Sequence, residues 1–196
     1  NDSYKEASFS RLDLHFGQLF GVDRLSILGL NTKIGYKLSA SGNLRINQSL
    51  SNNGIGAEGF VNLFGALKLT KDFSREKTVQ KKLLFIPYKL KTKKRDVSAQ
   101  FNIGVVNGNY RNGFAYQNNA PSTNKWNIED LLFSGHEFHV FDGYRFNFDL
   151  AYTRYLKNNN AIKFAYRWDA LSTGDNFGKF QQSQHSLEFS MHFNTK

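Results

Sequence analysis

A short cluster in the second half of the chain, Ser134, His136, Glu137, His139 and Asp142, holds residue types that bind a transition metal or move a proton. On a strand, Glu137 and His139 share one face and His136 takes the other. Two histidines in this spacing therefore meet at one ion only if a turn or helix breaks the strand. The plainer expectation is a junction between a loop and a strand. No cysteine occurs, which excludes thiolate zinc sites and cysteine nucleophiles. No catalytic residue, no metal and no cofactor is expected.

A second constellation lies further on, where Asp149, Lys163, Arg167, Asp169, Glu188 and His192 share one parity of three alternating segments. If Asn158-Asn159-Asn160 closes the first two segments symmetrically, Asp149 stands beside Arg167, and opposite charges on adjacent strands support each other. In a narrow barrel such groups fill the lumen with ion pairs and leave no open channel; in a wider one they line a selective polar pore or a lumen site. In either case Arg167 is expected to be held by Asp149 or Glu188, since an unpaired buried guanidinium is costly.

The elements that must position these charges are strands. Tyr144, Phe146, Phe148, Leu150 and Tyr152 alternate with Arg145, Asn147, Asp149, Ala151 and Thr153. Ile162, Phe164, Tyr166 and Trp168 repeat the pattern, as do Leu187, Phe189, Met191 and Phe193. Each run is about ten residues, enough for a tilted strand to cross a bilayer. Upstream, Leu12, Leu14 and Phe16 oppose Arg11, Asp13 and His15, and Ile34, Tyr36 and Leu38 oppose Lys33, Gly35 and Lys37. Ser39-Ala40-Ser41-Gly42 reads as a turn. Residues Ala57 to Thr70 mix parities, as a bulge or a strand apolar on both faces would. Leu84, Ile86, Tyr88 and Leu90 alternate around Pro87, and Val97 to Val105 is clean. Asn107 to Asn127 reads as a surface loop with a helical turn near Asn127 to Leu132, and Ser172 to Gln184 as a second loop. The count gives an all-β, antiparallel transmembrane β-barrel of about eight to ten strands, one domain over the whole chain. Alternation alone suits a soluble barrel equally, with the apolar parity turned inward.

Composition agrees with a barrel and excludes a helical membrane protein: hydrophobic residues make up 40% of the 196, mean hydropathy is −0.52, and no run of about eighteen apolar residues exists. The opening Asn1-Asp2-Ser3-Tyr4 suits a mature N-terminus after export. Net charge is +10, concentrated between Lys77 and Arg95. Such a run suits nucleic acid, anionic lipid or lipopolysaccharide phosphates, or is a solvated loop. Nucleic acid is not expected as a partner, because the aromatics fall on the uncharged parity and phosphate binders place both on one surface. Tyr144, Tyr155 and Trp168, near strand ends, are expected in interfacial belts. Arg154 has the apolar parity and is expected to snorkel to the headgroups.

The closing strand, with Leu187, Phe189, Met191 and Phe193, resembles the C-terminal strand of bacterial outer-membrane barrels, where alternate apolar positions run to a terminal aromatic. Here Asn194-Thr195-Lys196 follow the aromatic. The chain is also similar to the lipid A deacylases in size and in having a serine, Ser172, before its last loop. That family's mechanism needs a histidine two residues before the serine as base, and Ala170 stands there. With the deacylase match failing at Ala170, the apolar parity read as facing lipid leads to the expectation of a non-enzymatic accessory or structural subunit of the bacterial outer membrane, facing membrane lipid or lipopolysaccharide. Its loops would contact another envelope protein or surface polysaccharide. The alternatives are a soluble barrel for an apolar ligand and a lipopolysaccharide-modifying barrel enzyme.

Overall fold

The computed structural model describes residues 7–22, 29–47, 55–112, 135–174 and 179–194. Its strands are β1 (Ala7–Gly21), β2 (Leu30–Asn47), β3 (Ile55–Asp72), β4 (Val79–Leu83), β5 (Ile86–Leu90), β6 (Lys94–Asn112), β7 (His136–Val140), β8 (Tyr144–Tyr155), β9 (Ala161–Ser172) and β10 (Gln181–His192). The wall follows the order β1-β2-β3-β6-β8-β9-β10, with β7 paired to the far end of β6, and β4-β5 form a separate two-stranded ribbon. All pairings are antiparallel.

The wall is a strongly curled half-barrel of seven strands rather than the closed barrel expected. Alternation explains the odd edge: across an odd number of antiparallel strands, β1 and β10 run the same way, and no backbone ladder joins them among the described residues. Side chains still span the opening. Arg11 Nη1 donates to Gln184 Oε1 at 3.1 Å, and Asn43 Nδ2 donates to Gln182 Oε1 at 3.2 Å. The missing wall strands are the residues of β4 and β5, which leave the sheet as a ribbon, and β7, which is too short to cross.

The parity of the wall is polar inside and apolar outside. Arg145, Asn147 and Ala151 are buried on β8 while Tyr144 and Leu150 are exposed, and the same split holds for Arg11 against Leu12 and Leu14 on β1. Ser39-Ala40-Ser41-Gly42 is continuous strand within β2, not the turn its small residues suggested. Ser39 and Ser41 face inward and are buried, where a curled wall leaves room only for short side chains. The mixed pattern of β3 comes from its two inward aromatics, and the irregularity lies on its neighbour β6. Phe60 and Phe64 point into the lumen and are buried, and the register against β6 shifts between Leu63 and Phe64, so that Val105 is the extra residue. After that bulge Asn107 and Asn109 take the inward parity of β6. Strand β6 thus runs to Asn112, shortening the expected loop; its remainder and the helical turn lie outside the described residues. Likewise β10 begins at Gln181, so part of the second expected loop is strand.

Gly143 makes the corner from β7 to β8. Its φ is +77°, and a Cβ there would overlap Ser172 O of β9, so only glycine fits the close approach. The corner is tied down by Phe141 N–H donating to Asn107 O at 2.8 Å and Asn109 Nδ2 donating to Asp142 O at 2.8 Å.

Candidate functional site

Among the described residues the lumen holds the densest set of paired charges, and its centre is Arg145 of β8. This guanidinium is 2% exposed. Nη1 donates to Ser41 Oγ of β2 at 3.0 Å, Nη2 meets Asp169 Oδ2 of β9 at 3.3 Å, and the cation lies 6.0 Å from the ring centres of Phe60 and Phe64 on β3. Asp169 also takes Arg11 of β1 at 2.7 Å, and Arg11 meets Asp13 at 2.8 Å. One carboxylate therefore holds two arginines from opposite sides of the curl. Lys37 of β2 adds a third cation: its Nζ donates to Asn147 Oδ1 at 3.3 Å and sits 5.6 Å above Phe64. Buried charges tolerate this only when paired and packed, and the aromatic faces supply further cation–π attraction.

Toward the other rim the wetter half of the network begins. Arg167 Nε donates to Asp149 Oδ1 at 2.6 Å and Nη2 meets Glu188 Oε2 at 3.3 Å. The register places Arg167 directly opposite Asp149, as a hairpin closed at Asn158 to Asn160 requires. The Arg167 side chain is 44% exposed, so the deep burial expected for it belongs to Arg145. Lys163 shares the lumen parity but is drawn into no ion pair among the described residues, and His192, at the end of β10, meets Ser190 Oγ at 3.4 Å.

The outer face carries the aromatics. Tyr144 stands exposed at the rim where β8 begins, and Trp168, further down β9, donates from Nε1 to Ser183 Oγ at 2.9 Å and packs edge-on to Phe146 at 5.3 Å. Tyr155 differs. Eleven positions separate it from Tyr144, an odd number, so on a regular strand it takes the lumen parity. It closes the opposite rim, its hydroxyl donating to Asp96 at 2.8 Å with Lys94 above its ring at 5.0 Å. Arg154 is exposed on the outer parity.

The cluster near β7 is split as strand geometry demands. His136 Nε2 pairs with Ala57 O at 2.9 Å and stacks on Tyr110, while His139 meets Glu137 at 3.2 Å. Ser134 lies outside the described residues, and no group of three metal-capable side chains occurs among those described. Ser172 is buried, donating to Thr173 O and accepting from Gln181 Nε2, both at 3.4 Å.

Sequence reasoning missed Arg11, Lys37, Ser41 and Arg145 as members of the network. Arg145 and Asp169 share a parity, and in the β8–β9 register they are diagonal neighbours. That signal was present in the hairpin alone. The Arg11–Asp169 contact carries none, since the two lie 158 residues apart. No protein-family model, curated protein or solved structure matches this chain.

Proposed function

We propose that the chain forms the wall of a membrane-spanning β-barrel of the bacterial outer membrane, acting as a non-enzymatic structural or accessory subunit. The observation that carries this is the inverted distribution of polarity. Among the described residues, the buried apolar side chains are five alanines, two phenylalanines and one leucine, whereas the buried polar set includes Arg145, Glu58 and six asparagines. Leu12, Leu14, Phe16, Leu187 and Phe189 are each more than half exposed. A soluble protein keeps large apolar side chains inside and rarely exposes contiguous patches of them beyond a few hundred Å². A lipid-facing wall needs the opposite arrangement.

The paired lumen makes this wall a scaffold rather than a wide conduit. Its contacts would then come from the rim that holds β7 and the segment between β9 and β10, reaching a partner protein or surface polysaccharide. The test is extraction. A membrane-spanning wall needs detergent or lipid to stay monodisperse, and a label at Leu14 or Leu187 is quenched by a lipid-borne quencher. A chain that stays monomeric in plain buffer, with those positions open to aqueous quencher, would overturn the proposal.

A further inference from the structure

Past the rim where β3 ends, the β3–β6 ladder does not stop. Phe73 N–H donates to Arg95 O at 3.0 Å, and Arg75 and Lys93 exchange backbone hydrogen bonds at 2.6 and 3.0 Å. Asp72 Oδ1 accepts from Ser74 N at 2.6 Å, and Ser74 Oγ accepts from Arg95 N at 3.0 Å. Three residues on one side and two on the other then intervene before Val79 pairs with Leu90, an unequal count that re-aims the ribbon as a bulge does. From there, among the described residues, β4 and β5 pair only with each other.

Two properties of this ribbon are unfavourable in water. Its two-residue turn is Leu84-Phe85, where hairpins of this kind favour Asn-Gly. Leu84 has φ +54°, a left-handed conformation a γ-branched side chain adopts at a cost. The turn nevertheless displays apolar surface almost completely: Leu84 is 86% exposed, Phe85 94% and Ile86 71%. Behind the tip the charge is lopsided. Nine of the residues from Arg75 to Arg95 are basic and one is acidic, which accounts for most of the chain's net charge of +10. Lys82 stands opposite Pro87, Lys81 opposite Tyr88, and Lys89 opposite Gln80, so the first lysines sit directly behind the apolar tip. A lone two-stranded hairpin is marginal in water.

We propose that β4–β5 is a membrane-surface finger whose tip, Leu84, Phe85 and Ile86, enters the headgroup boundary of an anionic bilayer, with Lys81, Lys82, Lys89 and Lys91 on the lipid phosphates. The ordering chooses lipid over an acidic protein or a nucleic acid. Apolar groups lead and cations follow along the ribbon axis, matching the depth profile of a bilayer. Nucleic-acid surfaces instead mix aromatic stacking and phosphate contacts on one face. The inference rests on the membrane reading of the wall, since it places the finger against the bilayer the wall spans.

The chain has no cysteine, so Phe85→Cys and Leu14→Cys each offer a single labelling site. Each labelled full-length chain is reconstituted in phosphatidylcholine bilayers with and without phosphatidylglycerol and challenged with lipid-borne quencher and with iodide. The expected result is that the label at position 85 becomes lipid-quenched and iodide-protected only with phosphatidylglycerol. Lys81→Ala, Lys82→Ala and Lys89→Ala each weaken the docked population about five-fold. A label at 85 that stays open to iodide in both bilayers overturns the finger, and if the label at 14 is lipid-quenched the wall reading survives that failure. Equal quenching in both bilayers overturns the role of the lysines, and protection by an RNA oligonucleotide but not by phosphatidylglycerol overturns the choice of lipid. Loss of lipid quenching at 14 with quenching kept at 85 supports the finger and overturns the wall.

Discussion

Two hairpins in this chain share the same local grammar of alternating strands around a tight turn, β8–β9 and β4–β5, yet only the first has an environment for each of its faces. On β8–β9 the inward parity finds Arg11 and Ser41 across the curl and Glu188 on the neighbouring strand, and the outward parity joins an apolar band. On β4–β5 no third strand flanks either edge among the described residues. The difference teaches that alternation specifies a strand, while the neighbours decide whether its two faces are inside and outside or both surface. Pro87 fits this account: in a two-stranded ribbon it removes a donor that a wall strand would need.

The sharpest way to break the comparison is to empty the centre of the first hairpin. Arg145→Met leaves Asp169 buried with a single cation, and a broken buried pair costs about 3–5 kcal/mol. Heat unfolding in a fixed detergent should fall by that amount, and a neutral outcome would mean that the lumen is wetter than its geometry implies. Next in size is the corner that docks β8 on β9. Gly143→Ala forces a Cβ into backbone at a positive φ, and a loss of about 1–3 kcal/mol by the same measurement is expected.

Arg167→Met is smaller than its two carboxylate partners suggest, because the side chain is 44% exposed and water screens the pair. About 1 kcal/mol is expected, with Arg154→Met within about 0.5 kcal/mol as an outward, exposed neighbour. If Arg154→Met proves the damaging change, the inside and outside of the wall have been assigned the wrong way round. The smallest effect should come from the second hairpin. Leu84→Asn suits the left-handed turn, so wall unfolding should move by no more than about 0.5 kcal/mol while lipid quenching of a label at position 85 falls. A large change in wall unfolding would show that the ribbon packs on the wall after all.

Much of the wall was readable because the outward apolar and inward polar chemistries differ so strongly along Tyr144 to Tyr152 that period two is unmistakable. What was unreadable shares one physical cause: the lumen is assembled from residues distant in sequence. Ser39 to Gly42 looks like a turn because small residues serve turns and tight lumens alike, and only the presence of Arg145 overhead distinguishes them. Phe60 and Phe64 broke the parity rule because the lumen needs flat aromatic surface beside a buried cation. The Arg167 and Asp149 pair could be inferred from one short turn, whereas Arg11 and Asp169 meet only after the sheet curls.

The parallel edge strands carry a consequence for sidedness. Among the described residues the wall is crossed an odd number of times, so its edge strands do not return to one rim: β1 starts at the rim where β8 begins, and β10 finishes at the rim where β8 ends. Even-stranded barrels return both termini to one side. If the seven-stranded wall spans a membrane, a protease site placed just before β1 and another just after β10 would be cut from opposite faces, each protected where the other is open.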